Sequence, residues 1–550
     1  MNRTNPRAST DTTRQAASSR TGNRNHRPGR LGPDLARPAI ATKKLAAIAA
    51  AVSLAAGFAG GASGAFAIQH FSSSTMSQNG MPGGMGGANT MEYDYSGSYS
   101  ATLTADNTDK TSDGETINAT ESDTNAALAQ NGGTLTLTNA TLTKSGDSDN
   151  ADNNNFYGTN SVSLTVGEDS KTIINGSKIT ASSSGSNGVF ATDSGTALVN
   201  DTAISTTADN SRGLDATYSG TILAGTVTAS TQGDHSATVA TDRGGGNVSI
   251  TDSTLTTEGS GSPLLYSTGD VQANNVTGTA SGSQIAGMEG YNTILINNST
   301  LESTNTGKTG SDPIANGVII YQSTSGDAES STGEHATFQA KDSTLKSAIE
   351  SGSMFYFTNT TADVVLQNTT LDFDTSKATL INASGNDANS WGSAGANGAT
   401  VNFTGRSQTL DGDVTADTIS TVNLYLLDGT TWTGSASITE NSNATDDTTS
   451  DAPITVNVDG TSTWVVTKDT TISSLNVANG GKVVDSNGNT VTVKANGKTV
   501  ISGDSDITVT VTGDYSTTVS AGEDTELADS TIDRNDFDTQ FGTSTAWTMS

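Results

Sequence analysis

Val248-Ser249-Ile250-Thr251-Asp252-Ser253-Thr254-Leu255 is the stretch whose reading decides the fold. Val248 and Ile250 alternate with polar residues, which places both on one side of a short strand. Asp252-Ser253 is bend chemistry, and Leu255 opens a second strand after it. The phrase returns as Leu135-Thr136-Leu137-Thr138-Asn139-Ala140-Thr141-Leu142 and as Ile294-Leu295-Ile296-Asn297-Asn298-Ser299-Thr300-Leu301. It appears again as Val364-Val365-Leu366-Gln367-Asn368-Thr369-Thr370-Leu371, with weaker copies centred on Asn175, Asn200, Asn274 and Asp342. The last apolar residue of each copy falls at Leu142, Ile179, Ile204, Val227, Leu255, Val276, Leu301, Leu345 and Leu371. Most intervals lie between 21 and 28 residues, and the two long ones contain the polar insertions Gly146–Asn155 and Gly307–Glu334.

A second phrase sits between these copies. Gly188-Val189-Phe190-Ala191-Thr192-Asp193-Ser194-Gly195 matches Gly213-Leu214-Asp215-Ala216-Thr217-Tyr218-Ser219-Gly220, and Ala237-Thr238-Val239-Ala240-Thr241-Asp242-Arg243-Gly244. Each period therefore holds three short strands separated by Gly, Asn, Asp and Ser turns. Such a unit cannot bury its apolar face alone, but stacked copies can. Equivalent strands then pair in parallel about 4.8 Å apart, and Asn side chains at recurring bends form hydrogen-bonded ladders. The expected fold is all-β, a parallel β-helix solenoid. Past a Gly/Asn/Ser break at 385–399 the pattern resumes with Val401-Asn402-Phe403, Val422-Asn423-Leu424 and Val456-Asn457-Val458. Another polar insertion, Glu440–Asp451, precedes the last of these, and Trp432 and Trp464 follow successive copies.

Composition agrees with a thin solenoid. Hydrophobic residues are 32% and charged residues 15% of the 550, against about 45–50% and about 25% in ordinary domains. So few apolar side chains cannot fill a thick globular core, yet eight prolines and a modest net charge of −31 do not fit a disordered chain. Zero cysteines exclude disulfides, thiol nucleophiles and Cys-based zinc sites. Four histidines speak against a multi-histidine metal centre. His235 stands beside Asp234, but no nucleophile-elbow sequence accompanies them, and no glycine-rich phosphate loop occurs in a strand-to-helix context.

Charge and hydropathy divide the chain. Residues 1–44 carry ten Lys and Arg against Asp11 and Asp34, and read as a disordered basic cytoplasmic tail. Residues 45–68 hold no charge over 24 positions immediately after Lys43-Lys44. That is the length of a membrane span with its basic flank inside, read as a transmembrane signal anchor or as a signal peptide cleaved after Ala65-Phe66-Ala67. Either reading exports everything after it. Residues 69–92 form a Gly/Ser/Met linker, 93–384 and 400–515 the β-helix coils, and 516–550 a C-terminal cap or tail. The exported part is strongly acidic, which excludes nucleic acid as a partner.

The repeats resemble the right-handed parallel β-helices of pectate-lyase-like enzymes and of bacterial surface adhesins. Ser474-Leu475-Asn476-Val477-Ala478-Asn479-Gly480-Gly481-Lys482-Val483 looks like the passenger repeats of autotransporter adhesins, without the C-terminal amphipathic strands of an outer-membrane barrel. The resemblance implies a cell-surface or secreted, non-catalytic binding module for glycan or protein partners. Its alternatives are a polysaccharide lyase or hydrolase, and a structural stalk.

For the enzymatic alternative, alignment of the second phrase gives a column of Asp193, Tyr218, Asp242, Thr268 and Glu289, with Asp215 close by. Asp193, Asp215 and Asp242 are then the candidate carboxylates for glycosidic chemistry, and Arg212 and Arg243 the basic partners a lyase needs. Outward carboxylates on a thin polar solenoid are wet and keep ordinary acidity unless an insertion covers them. The insertions read as polar, and Tyr218 is the one aromatic apparent near the cluster. No cofactor is expected. Asp147, Asp149 and Asp152 are the candidate ligands for calcium, a hard ion that takes oxygen donors, although the spacing departs from known calcium loops.

Overall fold

The computed structural model describes residues 92–550 except 149, 324–330 and 390. The basic 1–44 segment, the apolar 45–68 segment and residues 69–91 lie outside the described residues, as does Asp149. Among the described residues no helix is long and apolar enough to cross a membrane.

The chain winds through three parallel sheets in turn. The first sheet has 13 strands, from Ala101–Asp106 to Ala436–Thr439; the second has 15, from Asp109–Asp113 to Tyr515–Ser516. The third has 10, from Thr116–Ala119 to Thr370–Asp372. A four-stranded parallel sheet (Thr409–Asp411, Thr431–Gly434, Thr463–Val466, Lys482–Val484) follows in chain order. A last small sheet contains the antiparallel pair Thr492–Ala495 and Lys498–Ile501. Strands from successive coils are neighbours throughout the three long sheets, which is a parallel β-helix. The 385–399 segment is an excursion from this stack, since Thr360–Gln367 pairs directly with Ala399–Arg406 across it.

The deciding stretch shows why. Val248, Ile250 and Leu255 are fully buried in the solenoid core, and Thr254 is exposed. Asp252 turns the corner with φ 51°, a left-handed conformation that Asp and Asn tolerate better than most residues. Asn139, Asn275, Asn298, Asp342 and Asn368 take the same conformation at other coils. Ladders join the corners: Asn200 donates to Asn175 at 2.9 Å and Asn297 to Asn274 at 2.8 Å. Farther along, Trp432 and Trp464 pair in register and stack at 4.8 Å, and each indole N–H reaches a backbone carbonyl.

Three sequence expectations are corrected. In the third sheet the inward column runs through Ala229 and Gly278 rather than Val227 and Val276. Those positions are small, and the two valines fill the space from the preceding bends, both buried. In the first sheet Leu214 pairs with Val239 and Ala216 with Thr241, one residue off the alignment read from the glycines. The turn at 242–246 is one residue longer than that at 217–220, so Gly246, not Gly244, precedes the next strand as Gly220 does. Third, the Gly146–Asn155 insertion is not simply a solvated loop. It leads into helix α1 (Ala151–Tyr157), capped by the Asn150 side chain and stopped by left-handed Gly158, with Phe156 and Tyr157 buried.

The outer faces of the sheets differ. Outward positions of the third sheet, such as Thr228, Thr254, Thr277 and Thr300, are exposed. The second sheet is crossed by the C-terminal segment, which runs back over coils far upstream. Gln339 binds Glu526 O and Ala528 N, Gln272 accepts from Ile532 N, and Arg534 donates to Ser249 and Ala224. Helix α2 (Asn535–Phe541) then sets Phe537 against Ile173, Leu198 and Leu223. The first sheet is covered by the insertions, and there the candidate site lies.

Candidate functional site

Register builds the floor. Along the first sheet one outward column reads Phe190, Asp215, Ala240, Tyr266, Gly287, Ile319 and Tyr356. Most members are large, but Ala240 and Gly287 are not, and the floor sinks around them. The nearest atoms a Cβ on Gly287 would meet belong to Tyr266, Gln284 and Ile319, at the ordinary contact distances of 3.4–3.6 Å, so there is room here because that side chain is missing.

The insertions build the walls. At one end Tyr93 and Tyr99 pack over Leu128, Leu164 and Phe190, and α1 covers the next coils, with Thr217 Oγ1 donating to Phe156 O at 2.8 Å. At the other end the 307–315 segment is pinned to the neighbouring turn, Gly310 N donating to Ser260 Oγ at 3.0 Å and Gly261 N to Thr309 Oγ1 at 2.8 Å. Trp391, from the 385–399 excursion, stacks on Tyr321 at 4.2 Å. Between these walls remains a cleft of about 150 Å³ lined by Arg212, His235, Tyr266, Gln284, Asp312 and Tyr321, among others.

Arg212 and two of the candidate carboxylates do come together. Arg212 Nη2 lies 2.8 Å from Asp242 Oδ2, Nη1 lies 3.6 Å from Asp215 Oδ2, and Nη1 also donates to Asn155 of α1 at 3.1 Å. The expectation of wet, ordinary carboxylates fails here. Asp215 is fully buried and Asp242 nearly so, because α1 and Arg212 lie over them. Burial pushes the Asp215 carboxyl well up, with Asp242 adding to the rise and Arg212 opposing it. Burial works against the Arg212 charge, yet Asp215 and Asp242 together hold it firmly protonated.

The other candidates go elsewhere. Asp193 sits in a turn near Tyr93 and Tyr99; burial pushes both phenols up, and the Asp193 charge adds to the rise. Arg243 lies with its guanidinium 3.9 Å above the Phe156 ring. Tyr218 N donates to Arg243 O, so the column proposed through Tyr218 and Asp242 does not form. Asp147 accepts from Ser184 N at 2.9 Å. Among the described residues no three His, Cys, Asp or Glu side chains gather closely enough to hold a metal ion.

Sequence reasoning missed the opposite wall. Glu289 Oε2 accepts from the hydroxyls of Tyr266 at 2.7 Å and Tyr321 at 3.0 Å, and Ser323 donates to Oε1. Burial, and then the Glu289 charge, push both phenols far above their usual range, so the tyrosines stand as fixed neutral hydrogen-bonding rings. Asp312 is buried with Asn316 Nδ2 on its Oδ2 at 2.8 Å. Burial raises its carboxyl to about 7 against the lowering effects of Asn316 and Lys308. The corrected register could have exposed Tyr266 and Gly287 as neighbours of Asp215. Nothing in the repeat could have placed Asp312, which stands in an insertion.

A broader depression of about 260 Å³ lies between the 385–387 and 439–443 segments. Its central carboxylate, Asp417, accepts from Gly385 N at 2.9 Å and Asn441 Nδ2 at 2.8 Å, so it ties two insertions together. Aromatic rings and a basic group line the smaller cleft, which makes it the candidate binding site. No protein-family model matches this chain, and no curated protein matches it either.

Proposed function

We propose that this chain is a non-catalytic, glycan-binding β-helix carried on a bacterial cell surface, and that the cleft on its first sheet holds one sugar ring. The observation that carries this reading is the pairing of tyrosine rings with hydrogen-bonding groups in a hollow too small for most drug-sized ligands. Asp242 and Glu289 are already engaged, by Arg212 and by Tyr266, Tyr321 and Ser323, and one oxygen of Asp312 is held by Asn316. Engaged groups orient a ligand; glycosidic hydrolysis needs two carboxyl groups flanking the bond. The finer fold assignment is a right-handed helix like those of pectate-lyase-like enzymes and adhesins, the hand that parallel crossovers take almost always. Residues 45–68 anchor or export the body, leaving the 1–44 tail inside. Many copies on one cell would strengthen weak single-site binding through multivalency.

Cleft filling tests the site. Gly287 carries no left-handed strain, so Gly287→Val adds methyl groups to the hollow without a backbone penalty. Binding on a glycan array, or by titration calorimetry, is expected to weaken at least about tenfold, with an unchanged circular dichroism spectrum. Retained binding in that variant would place the sugar elsewhere. The enzyme reading is favoured by the raised Asp312 carboxyl in the cleft, with the raised Asp215 carboxyl beside Arg212. Sustained release of reducing or unsaturated sugar ends, abolished by Asp312→Asn, would replace binding with catalysis.

Topology is tested on intact cells. Added protease is expected to degrade the chain after His70 and to leave the basic 1–44 tail untouched. Protection of the coils inside the cell would remove the surface assignment.

A further inference from the structure

We propose that Asp312 stands in the cleft as a neutral carboxylic acid that donates a hydrogen bond to an oxygen of an uncharged sugar ring, so that the site prefers neutral sugars to acidic ones. The proposal rests on the glycan-binding reading of the cleft and adds the ligand class and the residue that selects it.

The ground is the surroundings of the Asp312 side chain. It lines the cleft and is 7% exposed. Its backbone is fixed by the contact of Asp312 N with Thr309 O at 3.1 Å and by the pinning of Thr309 and Gly310 to the adjacent coil. One donor, Asn316 Nδ2, reaches Oδ2. Among the described residues no cation forms an ion pair with it. Lys308, on the same segment, is exposed and acts only from a distance. Tyr321 and Tyr356 face it from the two neighbouring strands and share its field as neutral phenols. His235 and Arg212 also line the cleft, and Arg212 is already held by Asp242 and Asp215.

A carboxylate in that position would be a buried charge with one amide for company, which is costly. The neutral acid avoids that cost and carries an O–H. Asn316 donates to Oδ2, so the proton belongs on Oδ1 of a residue that lines the cleft. A hydroxyl or ring oxygen of a sugar supplies the missing acceptor. A uronic acid would bring a further carboxylate to a wall whose guanidinium is already matched by two Asp residues.

The test uses the full-length chain and calorimetric titration with D-glucose, D-galactose, D-mannose and D-galacturonate near pH 5.5 and near pH 8.5. The neutral acid is the binding form, so affinity for the best neutral hexose is expected to fall about tenfold between the two pH values as Asp312 ionises. Asp312→Asn keeps a donor that cannot ionise, and is expected to bind with little pH dependence. Asp215 remains in that variant, so any dependence arising from it would survive in it. Galactose is expected to bind more tightly than galacturonate at both pH values. Full pH dependence in Asp312→Asn, or tighter binding of galacturonate, overturns the proposal while leaving the cleft as a sugar site.

Thermal melting separates the two readings if no hexose binds. The folded protein must ionise a buried Asp312 above about pH 7, whereas the unfolded chain ionises it near pH 4. The stability that the neutral acid preserves is therefore fully present below that lower value and lost as pH rises through about 7. Asp312→Asn is expected to raise Tm near pH 8.5 and to leave it closer to wild type near pH 5.5. That result without sugar binding would sink the glycan reading and keep the neutral acid. An equal Tm difference at both pH values would sink the neutral acid.

Discussion

Replacing Leu255 by Asp is expected to unfold the coils around it, whereas Thr254→Asp one residue away should leave stability almost unchanged. Leu255 is fully buried, stacked in the third sheet between Ala229 of the previous coil and Gly278 of the next. Neither neighbour offers a donor or a cation, so the Asp carboxylate would be left unpaired in the core. Loss of the leucine and burial of the charge together cost more than about 4 kcal/mol. In a solenoid each coil is held mainly by its two neighbours, and a loss of that size at one interface spreads to both. Thr254 points to solvent and its replacement is expected to cost less than about 0.5 kcal/mol. Urea unfolding followed by circular dichroism distinguishes the two variants. Similar midpoints for both would mean that the faces of this strand are reversed.

Phe537→Ala is expected to release the C-terminal segment from the second sheet. The Phe537 ring is fully buried against Ile173, Leu198 and Leu223, with the Arg534 guanidinium 4.5 Å above it. Room for it depends on Gly225, where a Cβ would come within 2.6 Å of the ring. Gly225 is also the place where the Asn175–Asn200 ladder is interrupted. Truncating the ring costs about 3–5 kcal/mol. The other attachments are the partly buried Ile532 and Phe541 and a few side-chain bonds, including those of Arg534, whose burial lowers its pKa to about 10 despite Asp538 and Asp252. Limited proteolysis should then remove the last residues of the variant rapidly while the coils survive, and a hydrophobic dye should bind the uncovered Ile173, Leu198 and Leu223. Wild-type resistance to protease in Phe537→Ala would show that the polar anchors hold the segment by themselves.

On the first sheet, local sequence pattern places side chains but not their cover. Arg212, Asp215 and Asp242 were legible as candidates because each stands in or beside a repeated phrase, and their meeting follows from coil stacking. Their chemistry was not legible. A carboxylate on an outward position is wet or dry according to what lies over it, and the cover, α1 with Asn155 and Phe156, comes from an insertion whose polar composition gave no sign of where it would dock. Asp193 and Arg243 show the complementary failure: in the corresponding turns of different coils, they lie beside the Tyr93–Tyr99 pair and over the Phe156 ring instead.

The sequence by itself determined the parallel β-helix. Every coil must again put apolar residues inward, turn at Asn, Asp or Gly, and offer the next coil a matching strand, so the constraint is written many times over and survives local misreadings such as Val227 for Ala229. Only the tertiary structure decided the register at 242–246, the docking of the insertions over one sheet and the return path of the last residues over another. Each of these depends on contacts made once, by Gly287, Asp312, Tyr321 or Phe537, and a contact made once leaves no period to read. The cleft is of that kind: its floor comes from the repeat, and its walls come from segments that interrupt it.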